Sequence, residues 1–244
     1  MIPTRLGSTR FPGKALAAET GQPLILHVVD RARAARSVER VIVTAPDPEI
    51  IKIAQDAGVE AIETSFNHPN GTSRLAEVSE QLGDELPRDA ILVNVQGDEP
   101  FLSTSDLKML MSNVEEDPSC EIATMGWLNH DANEFKDPNI VKVVVAKNDQ
   151  ALFFSRSPIP YDRRADHRNK EFLQHLGVYA FQAKSLAQFC KLSEGSLESI
   201  EKLEQLRALE HGMSIKLVRA SCRSLGIDTQ SDLEAAREKI SNPM

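Results

Sequence analysis

Three cations, Arg5, Arg10 and Lys14, and two glycines, Gly7 and Gly13, share the first fourteen residues, ahead of a helical pattern. Such a loop suits a triphosphate: glycines let the backbone turn N–H groups toward an anion, and the cations neutralise charge that amides alone cannot hold. The same residues would also make an ordinary solvated basic terminus. A triphosphate calls for a metal, since magnesium bridges phosphate oxygens and takes only one or two protein carboxylates plus waters. Asp98, in Gln96-Gly97-Asp98-Glu99-Pro100, and Asp228, in Leu225-Gly226-Ile227-Asp228-Thr229, are the candidates. Asp228, just ahead of a helical pattern, reads equally as a cap.

These residues need a scaffold, and the chain reads as α/β. Pro23 opens a helix with Leu24, Ile25, Val28, Val29 and Ala32 on one face. A strand over 38–44 follows, then a helix entered at Asp47-Pro48 and ended by Gly58, a strand over 59–64 and a helix over 72–82. The run 90–95 is apolar on both faces, as a central parallel strand covered by helices must be. Asp98 sits at its carboxyl end, the edge at which open α/β sheets bind ligands.

Beyond residue 121 strands dominate, over 122–128, 140–146, 151–155 and 175–181, and imply a partly antiparallel lobe. One continuous helix is then expected, with Leu197, Ile200, Leu203, Leu206 and Leu209 inward and Gly212 as its stop. A strand over 214–220 and a helix over 231–240, introduced by Thr229 and Asp232 as a capping box, close the chain. The expected organisation is a single domain, with a first half over 1–120, a strand-rich lobe over 121–182 and closing elements over 183–244. Only Met1 and Ile2 precede Pro3, so either the numbering starts inside the first strand or the sheet begins with a stub.

At 244 residues with 26% charged residues, the chain reads as an ordinary globule able to bury a sizeable core. Its net charge of −8 argues against a nucleic-acid or anionic-membrane partner, and leaves room for a local basic pocket for small anions. No membrane span or signal pattern is read, so a cytoplasmic protein is expected. Cys120, Cys190 and Cys222 lack metal or disulfide spacing and are expected as buried thiols.

Seven ordered segments, 2–16, 70–75, 93–100, 152–160, 175–179, 203–207 and 226–229, resemble the motifs of the 3-deoxy-manno-octulosonate (Kdo) cytidylyltransferases, also called CMP-Kdo synthetases. The resemblance implies a Rossmann-like nucleotidyltransferase fold: a mostly parallel central sheet flanked by helices, with a smaller strand-rich lobe. It also implies the activity, coupling of Kdo to CTP with release of pyrophosphate for lipopolysaccharide biosynthesis, with Mg2+ as cofactor and a homodimer as assembly. By the same resemblance Lys14, Asp98, Asp228 and Arg10 are catalytic, with Asp98 and Asp228 on the metal. Arg5, Ser8, Arg10, Lys14, Thr72, Arg74 and Gln96 bind the nucleotide, and Arg156, His175, Tyr179, Glu204 and Gln205 the sugar.

Four of the sugar-side residues have a plain structural alternative: His175 and Tyr179 as strand residues, Gln205 as a solvated helix residue, Glu204 as a surface acid paired with Arg207. The family pattern carries an acid where this chain has Ser73, so nucleotide specificity is not rested on that position. A sialic-acid cytidylyltransferase and an inactive nucleotide-binding homologue are the alternatives. An oxidoreductase is disfavoured because no G-x-G-x-x-G follows a strand.

Overall fold

The computed structural model describes residues 1–8, 10–163 and 171–241. They form two compact units. The first comprises Met1–Pro87, Val93–Lys108 and the chain from Ser224 on; the second comprises Arg88–Leu92 and Met109–Arg223.

The first unit is an α/β layer. Strands β1 (Ile2–Pro3), β2 (Ile42–Ala45) and β3 (Glu60–Glu63) pair in parallel in that order. Main-chain bonds from Met1 to Val93 O (2.8 Å) and from Val95 to Met1 O (3.1 Å) set the end of β4 (Ile91–Asn94) beside β1 in the spacing of a parallel ladder. Ile2 of β1 is fully buried. Helix α1 (Leu24–Ala34) buries all five residues its periodicity assigned to the core. Helix α2 (Pro48–Asp56) has Pro48 in its first turn, where a missing N–H costs nothing, and Gly58 follows it at φ +67°. Helix α3 (Gly71–Leu82) starts with Gly71 so close to β1 that a Cβ there would lie 2.8 Å from Pro3 Cγ.

Helix α4 (Thr104–Glu116) follows β4 in the chain. The second unit holds β5 (Ile122–Asn129), α5 (Ala132–Lys136), β6 (Lys142–Val145), β7 (Ala151–Ser155), β8 (Phe172–Gln182), α6 (Ala183–Lys191), α7 (Ser196–Glu201), α8 (Gln205–Glu210) and β9 (Ile215–Arg219). Its sheet runs β7-β6-β8-β5-β9, with β4 pairing β8 off that path; β5 and β9 are parallel, and the β5–β8, β6–β7 and β6–β8 pairs are antiparallel. Helix α9 (Gln230–Ser241) returns to the first unit behind the expected capping box: Thr229 N donates to Asp232 Oδ2 (2.8 Å) and Asp232 N to Thr229 Oγ1 (3.2 Å).

Three expectations are corrected. The continuous helix over 197–209 is two short helices, α7 and α8, separated at Lys202, which takes a left-handed conformation (φ +52°). Ile200, expected inward, is 78% exposed, because the break rotates α7 off the face that Leu203 and Leu206 bury. Of the thiols only Cys120 is buried; Cys222 is exposed and Cys190 intermediate.

Candidate active site

The basic loop is shaped by its own hydrogen bonds. Leu6 N donates to Asp47 Oδ2 (2.9 Å), Gly13 N to Leu6 O (3.0 Å), and Phe11 N to Ser8 Oγ (3.3 Å). Gly13 adopts φ +75°, which a side chain would strain, and turns the chain into a short 3-10 helix, Lys14–Leu16. The amides of Leu6, Phe11 and Gly13 are thus consumed inside the protein, so an anion at this loop would meet its cations more than these amides. Ser8 here shapes the turn.

Opposite the loop stand two carboxylates from distant parts of the chain. Asp98 lies in the turn after β4; Asp228 lies just before α9, and Ile227 N donates to Asp98 O (2.9 Å), tying the two segments together. Phe11, Ala17 and Phe101 pack on the buried cluster of Leu24, Ile227, Leu233 and Ala236, so one apolar cluster sets both the basic loop and the Asp228 segment.

The result is a clamp. Lys14 Nζ donates to Asp98 Oδ2 (2.5 Å), Asp228 Oδ1 (3.1 Å) and Ile227 O (3.1 Å), while Arg10 Nη2 reaches Asp228 Oδ1 (2.9 Å). Burial acts to lower the pKa of Lys14, but the Asp98 and Asp228 carboxylates outweigh it and hold the ammonium above its ordinary value. Arg10 is mostly exposed, and Arg5 is exposed as well. Glu99, beside Asp98, was not read from the sequence. Burial, and then Asp98 and Asp228, push its carboxyl up to about 7 against a hydrogen bond from Ser224 Oγ. Its adjacency to Asp98 in a strand-end turn was the available signal.

The other expected nucleotide residues divide. Thr72 and Gln96 join one polar chain, with Asn94 Nδ2 donating to Thr72 Oγ1 (3.2 Å) and Gln96 Nε2 to Asn94 Oδ1 (3.3 Å). Arg74 is 3% exposed, and its Nη1 donates to Thr64 Oγ1 and to Ser65 O (3.1 Å), so it anchors the loop ahead of α3. At Ser73 the family's acid has been replaced by local bonding: Ser73 N donates to Asn70 Oδ1 (2.9 Å), Ser73 Oγ to Asn70 O (3.0 Å), and His68 lies between Ser73 and Glu77.

In the second unit a bulge does the positioning. In β8, His175 pairs with Gly126 and Tyr179 with Thr124, so Gly177 and Val178 bulge out of the ladder. That shortening brings the His175 and Tyr179 rings to a centroid separation of 5.5 Å. Thr124 Oγ1, with its hydrogen on Val178 O (2.9 Å), accepts from His175 Nε2–H (3.0 Å), which leaves Nδ1 as an acceptor. Burial against Phe154 (5.0 Å) and Tyr179 drives the His175 pKa down to about 3, so the imidazole is neutral. Burial, helped by Glu204, keeps the Tyr179 phenol protonated.

Tyr179, Glu204 and Gln205 line one cleft together with Ile122, Phe181 and Phe189. Gln205, for which a solvated helix position was the structural alternative, is 5% exposed, and its amide nitrogen makes no hydrogen bond among the described residues. Arg207 pairs with Glu198 through two bonds (2.7 and 2.6 Å), which with the charges of Glu198 and then Glu204 hold its guanidinium above the ordinary value. Arg156 follows β7 and is bound to the chain between α7 and α8, its Nε donating to Glu201 O (2.7 Å).

Among the described residues no group of three or more His, Cys, Asp or Glu side chains can enclose a metal, and no helix is long and apolar enough to cross a membrane. Two hard carboxylates converging on one point nevertheless fit an ion of the magnesium kind, which completes its shell with phosphate oxygens and water.

Residues 1–215 match a family model described as Cytidylyltransferase. The chain is 42% identical over 235 residues to a 3-deoxy-manno-octulosonate cytidylyltransferase of Syntrophobacter fumaroxidans, covering 96% of this chain and 93% of that one. It is also 42% identical over 245 residues to the protein of the same name from Neisseria meningitidis serogroup C, covering 97% and 95%. A solved structure of a CMP:2-keto-3-deoxy-manno-octonic acid synthetase complexed with CTP superposes with a TM-score of 0.92 at 37% identity, over 100% of this chain and 98% of that one. A cytidylyltransferase from Leptospira borgpetersenii, at 17% identity and a TM-score of 0.64, shares the fold, with 98% of this chain and 84% of that one covered.

Proposed function

The chain belongs to the 3-deoxy-manno-octulosonate cytidylyltransferases, and we propose on that footing that it couples CTP to Kdo, giving CMP-Kdo and pyrophosphate for lipopolysaccharide biosynthesis. The observation that carries this reading is the clamp in which Lys14 meets both Asp98 and Asp228 with Arg10 alongside. It offers a phosphate group cations and a metal ion two carboxylates in one place.

The chemistry asks for positioning and charge neutralisation, because the sugar's anomeric hydroxyl attacks the α-phosphate in line as pyrophosphate leaves. Asp98 and Asp228 would hold a divalent ion, which we take to be Mg2+. When bound, that ion would neutralise phosphate charge and make the sugar hydroxyl more acidic. Lys14, already positioned by both carboxylates, balances charge on the leaving pyrophosphate, and Arg5 and Arg10, whose side chains are exposed, close on the triphosphate. Thr72 and Gln96 present hydrogen-bonding groups to the nucleotide, whereas the burial of Arg74 favours a role in holding its loop.

For the sugar, Arg156 supplies a cation to the carboxylate. His175 offers neutral Nδ1 as acceptor, Tyr179 a hydroxyl, and Glu204 and Gln205 polar groups for the ring hydroxyls. The buried, uncommitted amide of Gln205 supports that role, since such a donor is costly unless a ligand meets it. We further propose a cytoplasmic homodimer, with the interface in the 155–181 stretch; residues 164–170 of that stretch lie outside the described residues.

Pyrophosphate release assayed with each nucleoside triphosphate against Kdo, 8-amino-Kdo and sialic acid tests the reading. Release is expected with CTP, Mg2+ and an octulosonate together. Release with sialic acid at equal or greater efficiency would transfer the protein to the sialic-acid branch, and CTP binding without release under any sugar would make it an inactive homologue.

A further inference from the structure

Lys142 is the largest fully buried side chain of the described residues, with none of its surface exposed. It sits at the start of β6 in a run of valines, where an apolar residue would cost far less to bury. Its ammonium is satisfied by three backbone carbonyls: Asp137 O (2.8 Å), Ile140 O (2.8 Å) and Arg156 O (2.7 Å). Three donors meet three acceptors, which is the condition for keeping a cation inside a protein.

The residue whose carbonyl Lys142 holds is fixed at its other polar positions too. Arg156 N donates to Glu201 Oε2 (2.9 Å), Nε to Glu201 O (2.7 Å), Nη1 to Pro138 O (2.9 Å) and Nη2 to Lys202 O (3.4 Å). Glu201 is itself steadied by Ser155 Oγ (2.6 Å). Lys142 thus grips Arg156 directly and also holds Asp137 and Ile140, which lie on either side of the Pro138-Asn139 pair, and Pro138 supplies one of the guanidinium's acceptors. The break between α7 and α8 serves the same end, since the carbonyls of Glu201 and Lys202 freed there are two of the others. A guanidinium has five N–H donors, and these contacts take one from each nitrogen. The two that remain lie on the terminal nitrogens, the pair that grips a carboxylate as a fork. Because the side chain's partners are neutral carbonyls, its charge stays available to a ligand.

We propose that Lys142 is a positioning residue, whose buried ammonium cage preorganises the Arg156 guanidinium to receive the carboxylate of the acidic sugar. This rests on the reading of Arg156 as the sugar's carboxylate partner. Preorganisation of this kind lowers the ordering cost of binding, so its loss appears in the affinity for one substrate and spares the other.

The test is Lys142→Met in the full chain. The KM for Kdo should rise by about tenfold while the KM for CTP stays within about twofold. In an Arg156→Ala background the same substitution should add nothing, because the two act through one contact. Hydrogen exchange at Arg156 Nε–H, followed by NMR without substrate, should change from protected to fast. Protection unchanged in Lys142→Met, or a full further rise in the Kdo KM on top of Arg156→Ala, would overturn the proposal. Lost protection with the Kdo KM unmoved in both single variants would uphold the positioning and refute the sugar role of Arg156. Lys142→Gln, which keeps a donor in the cage, carries the same readouts if the methionine variant does not fold; it should shift both in the same direction by less, and no shift in either would again overturn the proposal.

Discussion

The loop clamp of the first unit and the strand-borne cleft of the second solve opposite problems. In the clamp, charges of both signs stand partly exposed on loops, held by hydrogen bonds and one apolar cluster behind them. In the second unit, Tyr179 and Gln205 are buried on a bulged strand and at the start of α8, and burial keeps His175 and Tyr179 neutral. The difference teaches where charge can be used. A triphosphate and its metal bring their own charge and tolerate water, so cations and carboxylates there need only be close. A polyhydroxylated acid must be told apart by shape, and the groups proposed for it are held in place by the strand and helix that carry them.

That contrast predicts a graded set of effects. The largest is expected from Asp98→Ala or Asp228→Ala, which should lower kcat by about 10²–10³-fold, as removal of a transition-state charge partner does. Thermal denaturation should shift little, because both side chains lie at a partly exposed edge. Near-normal turnover in either variant would break the clamp side of the comparison. Next is Lys14→Ala, which should raise the KM for CTP and slow turnover by about tenfold or more. An effect confined to melting temperature would make Lys14 a packing residue that merely bridges two acids.

The cleft side is probed by pH. The folded His175 pKa, about 3, lies below the ordinary histidine value of 6.5, so the unfolded chain binds a proton that the native state refuses. Its contribution to stability is therefore full above about 6.5 and is lost as the pH falls from there toward 3. Denaturant unfolding of the native protein and of His175→Gln across that range should show a shallower acid slope in the variant. Equal slopes would mean that the ring titrates freely. The smallest effect is expected at Ser73→Glu, where an acid in the first turn of α3 gains only about 0.3–1 kcal/mol from the helix dipole. The KM for CTP should stay within about twofold of the native value, since Ser73 is bonded within its own loop.

The clamp was far more legible in the sequence than the cleft, and the reason is physical. Glycines, lysines and aspartates at strand ends announce themselves because few other roles need them there. The five-residue apolar face of α1 and the Thr229–Asp232 capping box follow from local periodicity and spacing alone, and the structure has both. The break at Lys202 could not be read this way. Leucine spacing marks which side is buried, whereas the left-handed residue is supported by Arg156, 46 residues away in the chain. Gln205 misled for the same reason: a polar residue between two buried leucines looks solvated until a second element covers it. Lys142 in a valine run was a visible anomaly, but its three carbonyl partners depend on tertiary structure.

The central claim is that Lys14, Asp98 and Asp228 form one CTP–metal clamp, and calorimetric titration of CTP with and without Mg2+ tests it most directly. The native protein should bind CTP more tightly when Mg2+ is present, and the Asp98→Asn, Asp228→Asn double variant should lose that enhancement while still binding the nucleotide. A double variant whose CTP affinity responds to Mg2+ as the native protein does would contradict the account.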